Sequence, residues 1–188
     1  MNEMDIRKKI IETGLNLVKD RLVQGTWGNI SMRIDDEYMI VTPSGLDYSI
    51  LKPEDLPKVS ILDTKEWTGP YKPTTERKVH AAIYRSRPDV MAVIHTHPMN
   101  ASVFASSRKN IPLFNDELKS CLKHDVIVSK YALPGTKKMQ KVTTQALGEN
   151  DACLLANHGA FSCGKTMEDA YNVLATIEKA CEEYLTKK

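Results

Sequence analysis

Two short apolar runs, "NISMRI" at 29–34 and "YMIVT" at 38–42, are separated only by the polar residues "DDE". A connection that short joins antiparallel strands, because a parallel crossover needs about a dozen residues or more. A hairpin this early argues against an all-parallel doubly wound sheet, and no G-x-G-x-x-G follows a strand, so a nucleotide-binding Rossmann fold is not expected. The pattern predicts an α/β fold in which a sheet with antiparallel pairing is covered by helices on its faces.

The rest of the chain fits that expectation. Ile6, Ile10, Leu17, Val18 and Leu22 form the stripe of an amphipathic helix from Met4 to Val23, ended by Gly25 and Gly28. "TPSG" at 42–45 is a turn and "KVSIL" at 58–62 a strand. Between Pro73 and Pro88, a helix from Thr75 to Arg87 is expected, with threonines suited to cap it, and the strand "VMAVIH" follows. "MNASVFASS" reads as helix, "IPLFNDEL" as ambiguous and "DVIVS" as a short β run. "KKMQKVTTQAL" then predicts a helix, "ACLLAN" a buried strand, and "TMEDAYNVLATIEKACEEYL" a terminal helix capped by Thr166. With 188 residues the chain can bury a core without disulfides, and a single domain over 1–188 is expected.

The formal charge of +2 is too balanced for the electrostatic footprint of a nucleic-acid partner. Four cysteines without a C-x-x-C pair read as reduced thiols. The N-terminus carries charges throughout and lacks the apolar core of a secretory signal, and no stretch approaches the ~20 apolar residues that span a bilayer. A soluble cytoplasmic protein with no membrane partner is the expectation.

At the end of the "VMAVIH" strand, His95 and His97 stand two residues apart. In a strand such residues point the same way, so both imidazoles can reach one ion, although histidine pairs also occur at strand ends without a metal. Among the five histidines, His158 likewise ends an apolar run and precedes Gly159, where the missing side chain lets the backbone approach an ion. His95, His97 and His158 would give three nitrogens and leave an open position, the pattern of a catalytic site. Glu76, expected on the first helical turn before the histidine strand, is a candidate fourth ligand or base, or an ordinary first-turn carboxylate favoured by the helix dipole. His80, four residues on, makes a Glu76 and His80 pair a rival ligand set. His124, in a polar stretch, reads as a surface residue.

Three segments could hold an anion: "WGN" at 27–29, "TPSG" at 42–45 and "TTE" at 74–76. Each offers hydroxyl, amide or backbone N–H donors, and Thr74 and Thr75 lie at a predicted helix N-terminus. Singly each is as readily a turn or a cap; their interest lies in occurring together.

"GNIS", "TPSG", "PTTE", "HTHP" and "NHG" follow in the order and spacing of the class II aldolase and adducin family, which this sequence resembles along nearly its whole length. The resemblance implies a three-layer α/β/α fold with a central, largely antiparallel sheet. It implies a zinc site formed by His95, His97 and His158, with Glu76 as ligand of the resting metal and as base; manganese, cobalt or iron would also suit such ligands. It places a substrate phosphate on Gly28, Asn29, Ser44, Gly45, Thr74 and Thr75, and implies a fourfold homotetramer with sites at subunit interfaces. The activity implied is cleavage of a ketose 1-phosphate, such as L-fuculose 1-phosphate or a deoxypentulose phosphate, to dihydroxyacetone phosphate and an aldehyde through an enediolate.

Two departures bear on the reaction. Where family aldolases acting on fuculose phosphate carry a tyrosine four residues after "IP", this sequence has Asp116, and it lacks their C-terminal tail with a further tyrosine. Asp116 or Glu117 is then a candidate replacement acid/base group, or a surface turn residue. Epimerisation, decarboxylation or dehydration of a sugar phosphate, a noncatalytic adducin-like scaffold, and a metallohydrolase remain alternatives.

Overall fold

The hairpin forms as its sequence requires. In the computed structural model, which describes residues 1–187, β1 (Asn29–Arg33) and β2 (Tyr38–Val41) pair antiparallel with Ser31 opposite Val41. The Asp35 carboxylate accepts from the backbone N–H groups of Glu37 and Tyr38, both at 2.8 Å, and so closes the turn. To these strands the chain adds β3 (Lys58–Ser60), β4 (Trp67–Thr68), β5 (Ala92–Thr96), β6 (Ala152–Leu154) and β7 (Ala160–Gly164). The seven strands run in the order β4-β3-β2-β1-β5-β7-β6, each neighbouring pair antiparallel.

Among the described residues six α-helices cover the sheet: α1 (Glu3–Lys19), α2 (Arg77–Ser86), α3 (Met99–Ser107), α4 (Asp116–Cys121), α5 (Lys137–Leu147) and α6 (Met167–Thr186). Strand residues alternate faces, and the buried side chains accordingly separate into two groups. Ile30, Met32, Ile40 and Ile94 pack with Ile10, Leu17, Phe104, Leu118 and Leu174 from α1, α3, α4 and α6. Met39, Val41, Val93 and Phe161 pack on the other side with Val79, Ile83, Met139 and Leu147 from α2 and α5. The α/β fold has the three layers expected.

Helix ends obey local chemistry. The Asn2 side chain caps α1 by accepting from Asp5 N–H at 2.9 Å. At its other end, Leu22 N–H reaches Leu17 C=O and Arg21 N–H reaches Val18 C=O, with Arg21 left-handed at φ 59°. That is a Schellman stop, with Leu17 and Leu22 both buried in the same core. Helix α1 therefore ends at Lys19, short of the Val23 expected from the apolar stripe. Thr166 and Asp169 form a reciprocal capping box on α6.

Three further expectations are corrected. Helix α2 begins at Arg77, not Thr75, with Glu76 at its N-cap position. "DVIVS" forms no full strand; its backbone makes single bridges to Ile111 and Leu154 along the β6 edge. Strand β7, which lies between β5 and β6, was not expected at all. No helix of the described residues is long and apolar enough to cross a membrane.

Candidate metal centre

His95 occupies β5 opposite Phe161 of β7, and its ring stacks on the phenyl at 4.3 Å between centroids. Its Nδ1 lies 2.8 Å from the Ala160 carbonyl, an acceptor, so Nδ1 carries the proton and Nε2 presents a bare lone pair. His97 follows the strand's end, and its Nε2 lies 3.1 Å from that of His95. The next turn of chain is anchored where Glu178 of α6 accepts from Asn100 and Ala101 N–H at the start of α3. His158 sits in the tight β6–β7 turn, where Leu155 N–H bonds to Gly159 C=O and Asn157 takes φ 58°. A Cβ on Gly159 would stand 2.3 Å from His97 Cδ2 and 2.5 Å from Thr96 O, so only glycine lets this turn press against the histidine strand.

The three rings gather one ligand atom each within 4.8 Å of one another. Glu76 joins them: Oε2 lies 3.1 Å from His95 Nε2 and Oε1 3.5 Å from His158 Nε2. Four ligands at ~2.0–2.1 Å from a tetrahedral zinc stand about 3.4 Å apart, which these separations approach. Glu76 Oε1 is buried with no hydrogen-bond partner, and the His95 lone pair faces a carboxylate oxygen. Both are costly arrangements that a cation between them would satisfy. The residues present therefore fit a divalent metal.

The electrostatics agree. Burial would raise the Glu76 carboxyl, but His95, the Asn29 amide, His158 and His80 outweigh it and hold the group below its ordinary value. Burial pushes His95 down to about 4 despite the opposing Glu76, with His158 and His97 adding to the fall. His97 is also lowered, first by burial. Ionised carboxylate and neutral imidazole are the ligating forms.

His80 lies outside the three-histidine cluster. It is fully buried, with Nε2 at 2.6 Å from Asn29 Oδ1 and Nδ1 at 2.7 Å from Ser31 Oγ, and burial pushes it down to about 3. In the unfolded chain both His80 and His95 titrate near ~6.5. Below that pH the unfolded chain binds more protons than the folded one, so these two groups lower stability as pH falls from about 6.5 towards the 3–4 range. In metal-free protein the His80 and His95 ring resonances should show no titration between about pH 8 and pH 5; a midpoint near 6.5 for either would contradict the burial account.

The anion-holding segments also converge. Ser44 N–H donates to Lys72 C=O and Thr74 N–H to Thr42 C=O, while Thr42 Oγ1 accepts from Ile30 N–H beside Gly28 and Asn29. Ser44, Gly45 and Thr75 are exposed, with Gly45 at φ 74°, whereas Thr74 is buried and accepts from Glu76 N–H. The Asn29 side chain is engaged elsewhere: its Nδ2 donates to Glu76 Oε2 at 2.9 Å. Asp116 begins α4 fully exposed, paired with Lys119 at 3.6 Å, and Glu117 pairs with Lys179 at 2.8 Å. Neither contacts the histidine cluster within this chain.

Comparison with known proteins follows the same lines. Residues 8–185 match the class II aldolase and adducin N-terminal domain family. A 5-methylthioribulose-1-phosphate/5-deoxyribulose-1-phosphate aldolase of Rhodospirillum rubrum is 35% identical over 181 residues, covering 96% of this chain and 77% of that protein. An L-fuculose phosphate aldolase of Haemophilus influenzae is 30% identical, covering 98% and 84%. A solved L-fuculose 1-phosphate aldolase superposes with a TM-score of 0.90 at 31% identity, covering 96% of this chain and 85% of that one.

Proposed function

This chain belongs to the class II aldolase and adducin family, and from that premise we propose that it is a zinc-dependent aldolase cleaving a ketose 1-phosphate to dihydroxyacetone phosphate and an aldehyde. The observation that carries the reading is the convergence of three imidazoles with the partnerless Glu76 Oε1. A scaffold protein has no need to bury that arrangement, and a cation would meet its cost. Manganese or cobalt would suit the same ligands.

His95, His97 and His158 would hold the metal, with Glu76 completing the set before substrate arrives. When bound, the ion would supply Lewis acidity towards negative charge on the ketose oxygens. Glu76, ionised at rest, would take up the proton that the substrate hydroxyl gives up as the aldehyde forms and return it to the carbon next to the ketose carbonyl, or run the two transfers in reverse, a role suited to a positioned carboxylate. The Ser44 and Thr75 hydroxyls and the Gly45 turn bind the phosphate, with Gly28, Asn29 and Thr74 framing the pocket, so that remote binding energy orients the reacting carbons.

The assembly proposed is a homotetramer with sites at subunit interfaces. Exposed Trp27, next to Gly28, and exposed Met99, two residues after His97, support it. Asp116 then acts as a second acid/base group only if a neighbouring copy brings it to the site. Epimerisation, decarboxylation or dehydration is the second reading, favoured by Asp116 standing where a tyrosine was expected. Incubation with L-fuculose 1-phosphate and 5-deoxyribulose 1-phosphate, with assay of dihydroxyacetone phosphate and aldehyde, separates the two. The proposal expects both products in equal amounts from at least one substrate; an epimeric or dehydrated sugar phosphate without aldehyde would replace it by the second reading.

A further inference from the structure

Behind Glu76 runs a buried chain of side chains that alternate between α2 and β1. Glu76 Oε2 meets Asn29 Nδ2 at 2.9 Å, and Asn29 Oδ1 meets His80 Nε2 at 2.6 Å. His80 Nδ1 meets Ser31 Oγ at 2.7 Å, and Ser31 Oγ meets Tyr84 Oη at 2.8 Å. The interleaving follows from element geometry. Glu76, His80 and Tyr84 are spaced by four, about 6 Å along a helix, while Asn29 and Ser31 are spaced by two, about 6.6 Å along a strand. Side chains on these two repeats therefore stay in step.

The chemistry of each group fixes the direction of the protons. An amide nitrogen only donates, and it must face the Glu76 carboxylate, since the opposite amide orientation would set two acceptor oxygens against each other. Asn29 Oδ1 is then left to accept, so His80 Nε2 carries the ring proton. His80 is sealed from water with no carboxylate in hydrogen-bond contact, which favours a neutral ring, so Nδ1 is bare and accepts from Ser31. Ser31 in turn accepts from Tyr84. Every proton in the chain points towards Glu76.

We propose that His80 is a positioning residue which, as its neutral Nε2–H tautomer, orients Asn29 so that the amide pins Glu76 Oε2 and leaves Oε1 as the oxygen free to meet a metal or a proton. The inference rests on the reading of Glu76 as ligand and base. Its consequences for the tautomer and for metal affinity do not need turnover, so they survive or fail independently of the aldolase assignment. The absence of a hydrogen-bond partner on Oε1, beside a held Oε2, is what this division of labour requires.

Two measurements test it. Long-range ¹H–¹⁵N spectra of the unmodified protein, metal-free and zinc-loaded, should report His80 protonated at Nε2 and bare at Nδ1. A proton on Nδ1, alone or together with Nε2, overturns the proposal. Zinc affinity, measured by competition with a chelator, should fall about 10- to 100-fold in His80→Phe, the scale on which groups behind a ligand act. His80→Gln, which keeps an N–H near the Nε2 position, should return affinity to within about threefold of the original, well inside that loss. Folded His80→Phe with undiminished zinc affinity also overturns it. If that variant does not fold, the tautomer measurement still decides.

Discussion

Replacing His158 with alanine should abolish stoichiometric metal binding and lower the rate of substrate cleavage by about 10³-fold, while leaving the fold intact. The magnitude follows from the several kcal/mol that a Lewis acid contributes to stabilising developing charge, at about 1.4 kcal/mol per decade of rate. The fold should survive because the His158 side chain is one-fifth exposed, in a turn held by its own backbone bonds. His97→Ala should behave alike. His95→Ala should lose metal and activity and also about 2–4 kcal/mol of stability, because it leaves a void against Phe161 in a fully buried strand and removes the ring's hydrogen bond to the Ala160 carbonyl. Metal analysis of each purified variant, a steady-state assay and a denaturant titration measure these effects. A His158→Ala protein with full metal content and unchanged turnover would remove the histidine cluster from the account.

Glu76→Gln should have the next largest effect. The substitution keeps the side chain's shape and the three imidazoles, so metal should be retained at reduced affinity. Loss of the proton-accepting carboxylate should lower kcat by about 10²- to 10⁴-fold, the range for a positioned general base. KM should change little, since the phosphate-holding segments are untouched and their contribution is uniform between ground and transition states. The group is ready for this role because its neighbours, His95 foremost, hold the carboxyl below its usual value against the opposing effect of burial. Unchanged kcat in Glu76→Gln, with metal bound, would reduce Glu76 to the helix-end carboxylate that its position in the sequence equally suggests.

The sequence made some of this structure legible and hid the rest for identifiable reasons. The hairpin was readable because three polar residues leave no room for another connection, and α6 because its apolar stripe and threonine cap coincide. Strand β7 was invisible: "AFSCG" has no β-branched residue, ends in glycine, and is buried throughout, so it gives no polar alternation. The end of α1 depended on Arg21 adopting a left-handed conformation, whereas the nearby glycines invited a later stop.

At the site, strand ends placed the three histidines, but a Glu76 and His80 pair on a shared helix face stood as a rival ligand set. What separates them is Asn29. The sequence reading set it among the phosphate contacts, while the fold uses its side chain to divide Glu76 from His80. The E-x₃-H-x₃-Y spacing of 76–84 and the N-x-S spacing of 29–31 carry that signal, which becomes readable only once α2 is known to lie on β1.

The central claim is that a metal held by these histidines is required for cleavage of the ketose 1-phosphate. Its most direct test is release of dihydroxyacetone phosphate from L-fuculose 1-phosphate and 5-deoxyribulose 1-phosphate, followed before chelation, after chelator dialysis, and after zinc is restored. The account predicts release from at least one substrate that falls by about 10³-fold on chelation and returns with zinc. Release that persists undiminished in protein shown by metal analysis to be metal-free would contradict it.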